Sequence, residues 1–328
     1  MKRLPPRPLV LAGLLVLVVA LSLLSLMAGK VWTPFSAWID QADPRWTIIF
    51  ELRLPRTILA VAVGAALGLS GAAMQGYTRN PLADPGALGV SALAALGAVL
   101  TLYLGGGAQA TWVIAAAAMV GALIAVILLL ALAGSGSSVV TFVLAGVILQ
   151  TVGGAGVALA LSLAPNPWAV NEIVNWLMGS LADRSIAEVQ LALPFMVGGC
   201  GLLLFTGRAL DALTLGETGA RSLGVDLGRA RWLLAVGVAL AAGASVAVTG
   251  VIGFVGLIVP HLLRPLVGAR PGALLLPSAL GGAVIVLAAD VLVRLTPSAA
   301  EVKLGVAMAA LGGPFFLALL ISMRRRLA

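Results

Sequence analysis

Apolar runs of about bilayer length recur along the whole chain, at 9–28, 57–76, 86–104, 110–133, 139–163, 187–206, 230–250, 272–293 and 302–323. A helix needs roughly 20 such residues to cross the hydrocarbon core, and in lipid only helices and closed barrels satisfy their own backbone polar groups. A tenth run, 255–267, is shorter and must cross buried among its neighbours. With ten spans the basic ends, Lys2/Arg3/Arg7 and Arg324/Arg325/Arg326, fall on one side of the membrane; with nine they would not. Of the 328 residues, 61% are hydrophobic and 10% charged, more apolar surface than a soluble domain can hide. The expectation is an all-α polytopic membrane protein, a single transmembrane domain over 1–328 with both termini cytoplasmic. The run from Leu9 to Ala28 is long for a signal peptide and reads as a retained first span.

The net charge of +8 does not point to nucleic acid, because the cations sit in loops between spans. In the ten-span layout thirteen of the twenty Lys and Arg residues are cytoplasmic, as the positive-inside rule asks. The outer seven are Lys30, Arg45, Arg53, Arg56, Arg184, Arg294 and Lys303. Most have an acidic neighbour in sequence, whereas Arg53 and Arg56 have only Glu51. Arg56 follows Pro55 in the first turn of the second span, where the helix dipole disfavours a cation. Such a charge is expected to act on something outside its own helix.

Catalytic chemistry is missing. Cys200 is the single cysteine, which excludes an internal disulfide and a cysteine metal cluster. There is no GxxxxGK[ST] loop, no HExxH and no GxSxG, so the chain is not expected to be an enzyme or to hold ATP, a metal or another cofactor. No Asp or Glu lies at the middle of a span, which argues against a proton- or sodium-driven carrier. His261, the lone histidine, is open to two readings, a packed side chain or a ligand.

Local signals mark the span ends. Asp84-Pro85 is an N-cap followed by proline, and Ser185 with Glu188 is a capping box for the sixth span. Short helices are expected after Thr33-Pro34 and over Asn171 to Ala182, the latter in an outer-face loop, 164–186. Small residues at Gly64, Gly68, Ala72 and Gly76, with Gly71, predict close packing of the second span. That span ends in a break over Asn80, Pro81 and Asp84-Pro85. Asp290 and Arg294 are spaced for an ordinary helix pair, and Ser137 and Ser138 for a polar turn. The longest cytoplasmic loop, 207–229, reads as two short helices around a glycine break, with Leu213, Leu215, Ala220 and Leu223 on an apolar face and Gly224 at a helix end. It is either an ordinary interfacial loop or a partner-docking element.

Several blocks taken together resemble one family. They are RLPRTILAVAVGAALGLSGAAMQGYTRNPLADPGALGV from Arg53, LAGVIL at 144–149, NWLMGSLADRS at 175–185, LGETGARSLGV at 215–225, GVIGFVGLIVPHLLRPLVG at 250–268 and AAEVKLGVAMAALGGPFF at 299–316. They are similar, over nearly the whole chain and in order, to FecCD-type permease subunits of bacterial ABC importers for iron–siderophore complexes, haem and cobalamin. The resemblance implies about ten spans per subunit in a bacterial inner membrane and a functional homodimer with the pathway on its two-fold axis. It also implies two cytoplasmic ATPase subunits, which would bind the ATP and magnesium, and an outer substrate-binding protein. Arg53, Arg56 and Arg294 match the arginines that meet glutamates of that binding protein. Leu215, Gly216, Glu217, Ala220, Arg221, Leu223 and Gly224 match the loop seated in the ATPase. Ser137, Ser138 and Val139 match the cytoplasmic gate, made more apolar here by Val139 and Val140. An iron chelate is the expected cargo, cobalamin the alternative, and a gradient-driven carrier or a non-transporting membrane scaffold or enzyme the rivals.

Overall fold

The computed structural model describes residues 6–105, 110–134, 138–297 and 301–327, with side chains to residue 321. Among these residues the regular structure is all helical, with no strand. The helices are α1 (Arg7–Met27), α2 (Arg45–Thr78), α3 (Val90–Leu104), α4 (Thr111–Ala133), α5 (Val139–Ser162), α6 (Pro167–Leu177), α7 (Ile186–Phe205), α8 (Gly207–Leu213), α9 (Gly216–Ser222), α10 (Leu227–Thr249), α11 (Val255–Val267), α12 (Pro271–Leu295) and α13 (Leu304–Leu327). Eight are long and apolar enough to cross a membrane, and the shorter apolar α3 and α11 bring the total to ten.

α2 lies at the centre, packed on α12, α11 and α7, while most of α1 and α13 is exposed. The α2–α12 crossing depends on missing side chains. A Cβ on Gly64 would lie 2.4 Å from the Gly282 carbonyl oxygen, one on Gly282 would lie 2.0 Å from that of Gly64, and one on Gly68 would lie 2.2 Å from that of Ser278. Gly71 meets α11 in the same way, 2.0 Å from the Gly256 oxygen. Lipid supplies no hydrophobic force between helices, so close backbone approach and dispersion hold this centre together.

α11 is the short tenth span. The chain leaves α10 at Gly250 (φ +72°), and Phe254 (φ +68°) opens the new helix. Val255 to Pro260 are buried, as a crossing of only 13 residues requires. Gln75 stitches it to α2, donating to the Gly256 and Leu257 carbonyls at 3.2 and 3.4 Å and accepting from Arg264 at 2.6 Å.

The structure corrects three sequence boundaries. α2 begins at Arg45, not beside Arg56: Asp43 accepts from the Arg45 N–H at 2.9 Å, and a π-helical turn over Ile48–Arg53 carries the helix past Pro55. The Arg45 guanidinium holds the Asp43 carboxyl below its usual range. The third span starts at Val90 rather than 86, because Asp84 caps a 3-10 turn, Pro85–Leu88, that ends on left-handed Gly89. The short helix expected over 171–182 is α6, begun by Asn166-Pro167 through a bond from the Ala169 N–H to the Asn166 side chain (2.8 Å), so it starts earlier, at Pro167, and ends at Leu177. The capping box at Ser185 forms as read, with Glu188 accepting from the Ser185 N–H at 2.9 Å.

Candidate functional site

Two clusters lie at opposite ends of α2. At its arginine end, Arg53, Arg56 and Arg294 come together, all less than one-tenth exposed. The π-helical turn sets the phase in which Arg53 and Arg56 leave α2. Arg53 Nη1 donates to the Leu26 and Met27 carbonyls at 3.0 and 2.8 Å and to the Thr33 hydroxyl at 2.8 Å; its Nη2 donates to the Val31 carbonyl. Arg294 donates to the Ser25 carbonyl at 2.9 Å and to the Ser25 hydroxyl at 2.5 Å. These two guanidiniums thus satisfy carbonyls at the C-terminus of α1, which have no intrahelical partner and sit at the negative end of the dipole.

Arg56 is bound differently. Its Nε and Nη2 donate to Asp290 at 2.9 and 2.7 Å, and Nη1 and Nη2 donate to Glu301. Asp290 is completely buried and also meets Arg294 at 3.0 Å. Two sequence readings fall here. Arg53 and Arg56 are not the least covered cations, and Arg56 stands well inside α2, away from its positive end. Asp290 and Arg294 are likewise more than a surface helix pair, since the carboxylate is the buried centre of the cluster. The partners were invisible because Asp290 and Glu301 lie more than 230 residues from Arg56 in sequence. A rim pocket of about 180 Å³ opens over the cluster, lined by Lys30, Arg53, Arg56, Asp183, Arg294 and Glu301.

At the other end of α2, two stretches that sequence treated separately share one cavity of about 490 Å³: Asn80 and Asp84 of the break, and Val139 and Val140 at the start of α5. Asn80 accepts from the Leu82 N–H at 3.0 Å and Asp84 from the Gly86 N–H at 2.8 Å, so the break is a built turn around Pro81 and Pro85. Ser138 is the N-cap of α5, accepting from the Thr141 N–H at 3.2 Å, whereas Ser137 lies outside the described residues. Val139 is buried and Val140 exposed.

Beside this cavity stand α8 and α9, the expected pair of short helices, with Gly216 (φ +85°) at the break and Gly224 (φ +79°) past the end of α9. The apolar face is smaller than read. Leu215 and Leu223 are about two-thirds exposed, but Leu213 and Ala220 are fully buried and anchor the pair to the body of the protein. Glu217 and Arg221 pair at 3.5 Å on α9. Glu217 also accepts from the Val139 N–H at 2.9 Å, and Arg231 of α10 donates to the Gly134 carbonyl at 3.0 Å and to the Tyr77 hydroxyl at 3.1 Å. No sequence signal marked these contacts. His261 is half-buried with its ring edge-on to Phe315, centroids 5.9 Å apart, and no group of three His, Cys, Asp or Glu among the described residues could hold a metal.

The FecCD transport family profile matches residues 16–322. An uncharacterised ABC transporter permease protein, YvrB of Bacillus subtilis, is 40% identical over 298 residues, 89% of this chain and 84% of that one. The vitamin B12 import system permease protein BtuC of Klebsiella pneumoniae is 38% identical over 317 residues, 96% of this chain and 94% of its own. Among solved structures, an inward-facing conformation of a candidate metal-chelate type ABC transporter superposes with a TM-score of 0.86 at 32% identity, covering 96% of this chain and 99% of the other.

Proposed function

The chain belongs to the FecCD transport family and is a multi-pass membrane permease of the ABC importer type, and on that premise we propose that it forms half of the pathway for a bulky metal chelate. The observation that carries this is a bundle similar along nearly its whole length to a vitamin B12 permease and to a metal-chelate transporter. An iron chelate is the first reading. Cobalamin is the second, favoured by the several BtuC relatives at 38–39% identity.

In this reading a second copy of the chain completes the pathway. The exposed apolar residues of α5, among them Leu144, Ile148 and Val152, support such a partner or lipid. Both termini are cytoplasmic, which puts α8 and α9 inside and the arginine cluster outside. Leu215 and Leu223 offer the ATPase an apolar handle flanked by Glu217 and Arg221. The binding protein docks over the rim pocket, where the three arginines and Lys30 face Asp183, Glu301 and, behind them, Asp290: four cations against three carboxylates. That small excess steers docking and is sensitive to salt. ATP binding by the partner shifts the pathway between its two open states only as far as it binds one state better than the other.

The test is uptake in proteoliposomes holding this chain, its ATPase and its binding protein, offered a ferric siderophore, haem and cyanocobalamin in turn. ATP-dependent uptake of one of them supports the proposal. Uptake by this chain alone, driven by an ion gradient, overturns it.

A further inference from the structure

The segment between α4 and α5 is flanked by two helix ends, and each is capped from another part of the chain. α5 begins at Val139, whose N–H is one of the donors that no α-helix satisfies internally. Ser138 serves the Thr141 N–H, one turn on. The Val139 N–H goes instead to the Glu217 carboxylate of α9, 78 residues away, at 2.9 Å. α4 ends at Ala133, and Gly134 (φ +70°) closes it. The Gly134 carbonyl accepts from the Arg231 guanidinium at the start of α10, at 3.0 Å. Each cap has the sign the dipole favours, an anion at the N-terminus and a cation at the C-terminus.

The two capping residues bracket the end of α9 and the turn into α10. Glu217 is in the first turn of α9, and Arg231 follows Leu227 by four residues in α10. Arg231 is itself buried and fixed by the Tyr77 hydroxyl at 3.1 Å, and the Tyr77 ring packs edge-on against Phe142 of α5, centroids 5.4 Å apart. The same wall of α5 is therefore held twice, through its first N–H and through Phe142.

We propose that Glu217 and Arg231 are positioning residues that clamp the end of α4 and the start of α5 to the partner-facing loop, so that the start of α5 moves with α9. The inference rests on the functional reading above for what moves α9, but the caps themselves do not depend on it. Glu217 is the more telling of the two, because it is partly exposed and its bond is to backbone. While the cap holds, displacing α9 carries the first turn of α5 with it. A hydrogen-bond acceptor is what the site needs: glutamine can keep the Val139 bond, and alanine cannot.

The experiment has two arms. In the first, hydrogen exchange of the 138–142 segment is measured on the purified full-length permease in nanodiscs. Glu217→Ala is expected to speed exchange about tenfold and Glu217→Gln to stay near the parent. Equal exchange in all three proteins, or glutamine behaving as alanine, overturns the cap. In the second arm, spin labels at the exposed positions Val140 and Thr218 report their separation in the transporter assembled with its ATPase, with and without ATP and vanadate. The clamp holds if that distance stays within about 2 Å between the two conditions in the Glu217 parent and broadens in Glu217→Ala. A parent distance that changes with nucleotide, or an alanine variant as narrow as the parent, overturns the coupling. If no ATPase assembles, the functional reading fails in the second arm, and the first arm still decides the caps.

Discussion

Replacing Arg56 with alanine removes the bonds of 2.7 and 2.9 Å to a carboxylate with no solvent exposure. Breaking a buried ion pair from one side costs about 3–5 kcal/mol, mostly the penalty of the charge left behind. Asp290 keeps Arg294 at 3.0 Å, and the second partner, Glu301, is 30% exposed and can turn to water. Both facts place the cost near the lower end, about 3 kcal/mol, or roughly 100-fold in the folded population. The remedy follows from the same physics. Adding Asp290→Asn removes the stranded charge, so the double variant is expected to recover at least about 1 kcal/mol of the loss. Unfolding midpoints in detergent, read by size-exclusion chromatography after heating, rank the three proteins. An Arg56→Ala variant as heat-resistant as the parent, or a double variant no better than the single, refutes the argument. By the same reasoning Arg53→Glu with Arg56→Glu destabilises the subunit, because a new carboxylate is set beside Asp290.

Gly71→Val is expected to yield no folded protein, since its Cβ would meet backbone at 2.0 Å, beyond the ~1–3 kcal/mol of ordinary overpacking. Gly154→Ala, with open space at its Cβ, should match the parent in expression and thermal midpoint. Leu215→Asp with Leu223→Asp should leave the fold intact and weaken capture of the ATPase about 100-fold in a pull-down titration, the loss of two leucine contacts worth about 3 kcal/mol together. Ser185→Ala breaks the capping box of α7 and should cost about 1 kcal/mol, seen as a lower unfolding midpoint with transport retained.

Spans, caps and packing glycines were legible because each is written locally. An apolar run, Asn/Asp/Ser before a turn, or a small residue every fourth position carries its meaning within one helix. The same local grammar held the start of α2, since Asp43-Pro44 repeats the Asp84-Pro85 signal. The reading missed it because the apolar pattern begins later and a π-helical turn intervenes. The intrachain partners of the arginines were the larger miss. Their sequence neighbours offered only Glu51, and nothing in a one-dimensional pattern brings Asp290 and Glu301 to Arg56. Glu217 and Val139 are hidden for the same reason.

What the sequence determined alone is the medium and the inventory: how many helices cross and, α2 apart, where each begins within a few residues. Hydrophobic length and backbone hydrogen bonding are short-range constraints, so they are readable in order along the chain. What only the tertiary structure decided is the fate of the charges. A buried guanidinium must find oxygen wherever the fold supplies it, and the fold brings that oxygen from a distant helix end or a distant carboxylate. Desolvation makes the pairing compulsory, but only the packing of α2 against α1 and α12 says with whom.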